Sequence, residues 1–146
     1  MEDSIMATSI IRFSNIALAT LFAGGASGAT PAVTMSGPHA NEEFCKTMIR
    51  QVELSGEYMK NQPLVPDTTK RAKYFNDQKE LNATLVKSAP VSLTSDATRF
   101  AKDANDMYDA ELAGARAKDN AAVAGLRSPE HLAASKRMSA YCGVIY

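Results

Sequence analysis

Residues 91–118 read VSLTSDATRFAKDANDMYDAELAGARAK, and the spacing inside this stretch decides the fold. Leu93, Ala97, Phe100, Ala104, Met107, Glu111 and Gly114 recur alternately four and three residues apart. That is the seam of a helix that packs lengthwise against other helices. Tyr108, Leu112 and Ala115 widen the apolar face, and the small residues of the seam let a neighbour approach closely. The spacing predicts a long helix over about residues 91–118, with Pro90 of SAPVSL near its start.

Upstream, two further helices follow from the same period. Asn41 is a suitable N-cap, with Glu42 and Glu43 placed where the helix dipole favours acids. From there to about Asn61, Phe44, Cys45, Met48, Ile49, Val52, Gly56 and Met59 share one face, while Lys46, Arg50, Glu53, Glu57 and Lys60 share the other. NQPLVPD breaks this helix, and Asp67 or Thr68 can cap the next. Its inward stripe is Tyr74, Phe75, Gln78, Leu81, Asn82 and Leu85, in which Gln78 and Asn82 read as stripe-edge residues.

Downstream, residues 113–127 fit either a continuation of the long helix or an irregular connection. Ser128 and Pro129 then supply an N-cap and first-turn pair for a last helix ending at Cys142, with Gly143 to terminate it. Its inward stripe is His131, Ala134, Met138, Tyr141 and Cys142. No strand alternation or hairpin turn competes. The expected architecture is all-α, an up-down-up-down four-helix bundle over residues 41–146.

The N-terminal residues differ in kind. Arg12 precedes a short apolar run from Phe13 to Ala23, and Ser27 and Ala29 suit the −3 and −1 positions of a signal-peptidase site. Residues 1–29 therefore read as a signal peptide, too short in its apolar run for the ~20 residues a bilayer demands. Glu2 and Asp3 spoil a positive leader, unless Met6 is the start. The alternative is a buried N-terminal helix, which Gly24, Gly25 and Gly28 oppose. Residues 30–40 mix Pro, Gly, Ser and Thr without period and read as a flexible leader.

Export governs the reading of the two cysteines. In an oxidising compartment a pair far apart in sequence favours a disulfide over a metal or redox site, the alternative being two buried free thiols. In the expected topology the start of the first helix and the end of the last lie at the same end. Cys45 and Cys142 occupy those places. The bond would close a loop of about 98 residues and contribute roughly 4 kcal/mol on the chain-entropy model.

Composition excludes several function classes. The 146 residues are 45% hydrophobic, enough for one modest core. Sixteen basic and sixteen acidic residues cancel, which disfavours nucleic acid or an anionic membrane as partner. Trp is absent and aromatics are 7%, leaving little for base-stacking platforms.

Candidates for chemistry are few. The expected wiring gathers Met59, Tyr74, Glu111 and His131 at the end opposite the disulfide, where such a set could ligate haem iron or another metal. The plainer reading is that Glu111 drifts to the surface as a straight helix departs from a 3.5-residue repeat, and that His131 shields a bundle end. Asp103, Asp106 and Asp109 lack calcium-loop spacing and read, with Arg99 and Lys102, as a solvated ion-paired face. Asn82-Ala83-Thr84 matches a glycosylation sequon but lies mid-helix. His39 has no fixed partner in the leader. No serine or cysteine nucleophile motif is present.

The ending SPEHLAASKRMSAYCGV, residues 128–144, resembles the C-terminus of small exported actinobacterial helical proteins. Those carry one early cysteine and finish with Arg-x-x-x-Tyr before Cys-Gly and an aliphatic residue. Arg137, Tyr141, Cys142, Gly143, Val144 and Cys45 match that pattern, and SAPVSL is similar to their Ala-Pro start of a third helix. Tyr141 and Cys142 are adjacent here, where the relatives have several intervening residues, which implies a shorter final turn. The resemblance implies a helical fold and export, and leaves function open. The expectation is an exported, non-enzymatic module that binds a protein or small ligand, with a haem or metal carrier and a small extracytoplasmic enzyme as the alternatives.

Overall fold

The computed structural model describes residues 34–61, 67–115 and 120–145. The expected signal peptide, residues 1–29, lies outside the described residues, as do residues 30–33 of the leader. Among the described residues five α-helices account for most of the chain: α1 Glu43–Lys60, α2 Thr68–Ser88, α3 Thr94–Leu112, α4 Ala122–Leu126 and α5 Pro129–Tyr141. A two-residue strand β1, Thr34–Met35, pairs antiparallel with β2, Val144–Ile145. The all-helical expectation holds for the body of the protein.

Local chemistry sets the helix limits. Asp67 Oδ1 accepts from the amides of Thr69 and Lys70, and Ser128 Oγ accepts from that of His131, so both expected caps form. α1 instead begins after Glu42, and no side chain caps it. The long third helix is shorter than its seam suggests. It opens with a 3-10 turn at Val91–Leu93 and stops at Leu112, six residues before Lys118. There Ala115 N–H donates to Ala110 O and Gly114 N–H to Glu111 O, a Schellman closure that requires the left-handed Gly114 at φ 92°. Of the stretch left open between helix and connection, Ala122–Leu126 is the short α4.

Cross-helix contacts give the directions. Gln51 meets Asn82, and Ser55 meets Gln78 further along, so α1 and α2 run antiparallel. Asn82 with Asn105, and Phe75 stacked on Tyr108, set the same relation for α2 and α3. Asp96 with Arg137, and Asp103 with His131, set it for α3 and α5. α1 and α5 are joined at one end by the Cys45–Cys142 disulfide, with Cα atoms 5.5 Å apart and both residues fully buried.

The interior divides into three layers. Phe44, Met48, Leu85, Leu93, Ala97, Phe100 and Met138 pack around the disulfide. Tyr74, Phe75, Ala104, Met107, Tyr108, Val123 and Leu126 form the opposite cluster. Between them lies a polar slice. Gln78 and Asn82, expected at the stripe edge, are 2% and 1% exposed. They belong to that slice because α1 supplies partners: Gln51 Nε2 donates to Asn82 Oδ1 at 2.6 Å and Gln78 Nε2 donates to Ser55 Oγ at 2.9 Å. Buried amides are tolerated when paired in this way.

Residues 34–40 are not a free leader. Besides the β1–β2 ladder, Ser36 N–H donates to Gly143 O at 3.1 Å. His39, expected to lack a partner, stacks on Tyr141 with ring centroids 4.0 Å apart and pairs with Glu42 at 2.6 Å. Gly143 ends α5 at φ 64° and crosses so close to this segment that a Cβ would lie 2.9 Å from Ser36 O.

Candidate functional site

α3 and α5 carry the densest set of chemically capable side chains. α5 starts where Ser128 caps it and Pro129 fixes the first turn, which places His131 on the inward face beneath α3. His131 is fully buried and stacks on Phe100 with ring centroids 5.0 Å apart. Its Nδ1 lies 3.1 Å from Asp103 Oδ2, which also accepts from Arg99 Nε at 2.8 Å. A carboxylate only accepts, so Nδ1 carries the proton and Nε2 is left as a bare lone pair. That Nε2 has no hydrogen-bond partner among the described residues. Burial holds the His131 pKa below its ordinary value, against the opposing pull of Asp103.

Asp103 therefore departs from the solvated face expected of it. It is 8% exposed and pairs inward, whereas Asp106 and Asp109 remain outward as partners of Lys102 and Lys79. Gly125 of α4 lies against Asp103, where a Cβ would meet Oδ1 at an ordinary contact distance of 3.5 Å. Arg99 continues outward to Ser128 Oγ at 3.4 Å.

An open groove of about 710 Å³ runs over this region between α3 and α5. Ser95, Thr98, Ala133 and Ala134 line it with small side chains. Its charged lining comprises Asp96, Arg99, Lys102, Glu130 and Arg137. Arg137 grips Asp96 through two bonds of 2.8 and 2.7 Å, which holds the Asp96 pKa below the usual carboxylate range. His131 is sealed off from solvent beside this groove and does not line it.

The four residues expected to gather at one end have the following surroundings. Tyr74 is buried in the cluster opposite the disulfide, 2.9 Å from Ser55 Oγ and stacked on Tyr58. Met59 is half-buried one residue beyond Tyr58. Glu111 is buried rather than drifting to the surface, with Oε1 unpartnered among the described residues. Burial raises its pKa, while the Arg71 charge and Asn120 act the other way. His131 instead bonds Asp103, eight residues before Glu111 on the same helix and so about 12 Å along its axis. Among the described residues no group of three His, Cys, Asp or Glu side chains is placed to hold a metal.

Sequence reasoning missed the Asp103–His131 pair and the polar slice. The available signal was His131 on the apolar stripe of its helix, which demands a partner from whichever helix faces it. The sequon at Asn82 is unusable in the folded protein, because Asn82 is buried and bonded to Gln51 and Asn105. Comparison of the chain with protein-family models, curated proteins and solved structures returned no match.

Proposed function

We propose that this protein is an exported, non-enzymatic binding module, an up-down-up-down four-helix bundle that holds a small ligand in the groove between α3 and α5. The observation that carries this reading is the groove itself. About 710 Å³ of open space lies over small side chains and between charges of both signs. A volume of this order suits a small molecule, roughly 300–1,000 Å³ being usual for ligand sites. Arg137 and Asp96 hold each other in a fixed geometry at one part of the lining.

Two features support export and a non-catalytic role. The Cys45–Cys142 disulfide suits an oxidising compartment, and among the described residues no helix is long and apolar enough to cross a membrane. In the His131–Asp103 pair the histidine ring is fully buried, so it cannot meet a substrate in this conformation. The haem or metal carrier is the less favoured reading, because His131 is engaged by Asp103, about 12 Å along α3 from Glu111.

Native mass spectrometry of protein purified from its own host tests the reading. A retained small molecule, lost from an Ala133→Trp variant that fills the groove but melts as the parent does, supports it. A parent that carries no ligand, or a variant that retains it, overturns the groove assignment. Recovery of the protein from the cytoplasm with Leu21 still attached overturns export.

A further inference from the structure

The residues around the disulfide form a clasp. On one side runs the segment from Thr34 to Cys45, on the other the segment from Tyr141 to Ile145. Thr34 pairs with Ile145 and Met35 with Val144. Ser36 N–H donates to Gly143 O. The His39 ring stacks on that of Tyr141, and Tyr141 OH donates to Glu42 Oε2 at 2.8 Å. Every one of these contacts involves a residue within three positions of Cys142. Met35, Tyr141 and Val144 pack against the cluster that contains both cysteines.

The clasp and the disulfide depend on each other for a physical reason. A two-residue ladder is marginal on its own, and exposed polar pairs add little. The covalent tie fixes the two segments side by side at the ends of a loop of about 98 residues; without it only core packing such as that of Phe44 against Tyr141 holds them near. In return, the segment lies against the bond's end of the bundle: Met35 packs on the cluster that holds both fully buried cysteines, and a Cβ on Gly37 would lie 3.5 Å from Cys142 O. A thiolate must reach a disulfide sulphur to attack it.

We propose that residues 34–42 are a redox-gated strap, closed over the Cys45–Cys142 disulfide in the oxidised protein and released when a dithiol reduces it. One thiolate of the dithiol attacks a cysteine sulphur to give a mixed disulfide and free the other cysteine. The second thiol of the dithiol then closes its own disulfide and frees the first. Two electrons and two protons pass to the protein, which holds two thiols, and the reductant leaves as a cyclic disulfide. Opening of the strap controls the first step, and loss of the tie prevents its closing again. This device is independent of any ligand in the α3–α5 groove.

Hydrogen–deuterium exchange on the full protein, with and without dithiothreitol, tests the release. Reduction is expected to leave amides 36–42 nearly unprotected while the buried centres of α2 and α3, though faster by the global stability lost, stay strongly protected. Unchanged exchange in the strap, or equal loosening of the whole body, overturns the proposal. The shielding has its own test in Ser36→Pro, which removes one exposed N–H donor and leaves the helices untouched. The oxidised variant is expected to lose its disulfide to dithiothreitol about tenfold faster than the parent, with little change in melting temperature. Gly143→Ala, which drives a Cβ against Ser36 O, is expected to do the same. Reduction of both variants at the parent's rate overturns the gate.

Discussion

His131 Nδ1 on α5 and Asp103 Oδ2 on α3 lie 3.1 Å apart in a site where the histidine is fully buried and its other nitrogen has no partner. The folded protein therefore resists placing a second proton on the ring. Burial puts the His131 pKa below 6.5, so at mildly acid pH the unfolded chain binds a proton that the native state refuses. Stability contributed by His131 is present above that value and falls as pH drops below it. Melting temperature followed from pH 7.5 to 5 is expected to decline in the parent and to decline less steeply in His131→Gln. Parallel curves would assign the decline to other groups. Glu42 and Asp96, whose carboxyl pKa values are lowered, lose their contributions in a more acid window, below 4.5 and 3.8 respectively.

Glu111 carries the opposite sign. Its carboxyl is buried with Oε1 unpartnered, and burial raises its pKa above 4.5. The native state thus holds the proton more tightly than the unfolded chain, and ionisation at higher pH costs stability. Glu111→Gln is expected to raise the melting temperature at pH 7 by about 2–5 °C. The gain should shrink as pH falls through the folded pKa. A variant less stable than the parent at pH 7 would mean that the attraction of Arg71 outweighs the cost of burial.

The polar slice makes a third expectation. Asn82 accepts from Gln51 and donates to Asn105, so truncating it strands groups on two other helices. Asn82→Ala is expected to cost about 2–3 kcal/mol in urea unfolding, since an unsatisfied buried polar group loses its full solvation. A loss under about 0.5 kcal/mol would show that the slice re-pairs without it.

Removal of the disulfide by the double substitution Cys45→Ala and Cys142→Ala is expected to lower stability by roughly 4 kcal/mol under oxidising conditions. The measurement is the denaturant midpoint of parent and variant in the same buffer. Coincident midpoints would mean that the tie contributes nothing to the equilibrium.

The helices, the caps at Asp67 and Ser128 and the disulfide were legible in the sequence, because each rests on short-range chemistry or on a period that only a helix satisfies. What escaped depended on partners from elsewhere. Gln78 and Asn82 look like edge residues in their own helix, and only Gln51 and Ser55 on another make their burial affordable. Asp103 shares a three-residue spacing with Asp106 and Asp109, yet His131 on another helix draws it inward. Residues 34–40 have no period to read, since a two-residue ladder is too short to alternate. His131 of the proposed ligand set likewise takes Asp103 of α3 as its partner, which the sequence of its own helix does not announce.

The pairing of Thr34 with Ile145 has a consequence for the chain as a closed path. The first and last described segments lie side by side, so a short peptide linker could join them without crossing the body. New termini could then be opened in the connection between Asn61 and Asp67, giving a circular permutant in which the former ends are adjacent in sequence. In that molecule Cys45 and Cys142 would be separated by only a short stretch through the linker, and closing their loop would require little entropy.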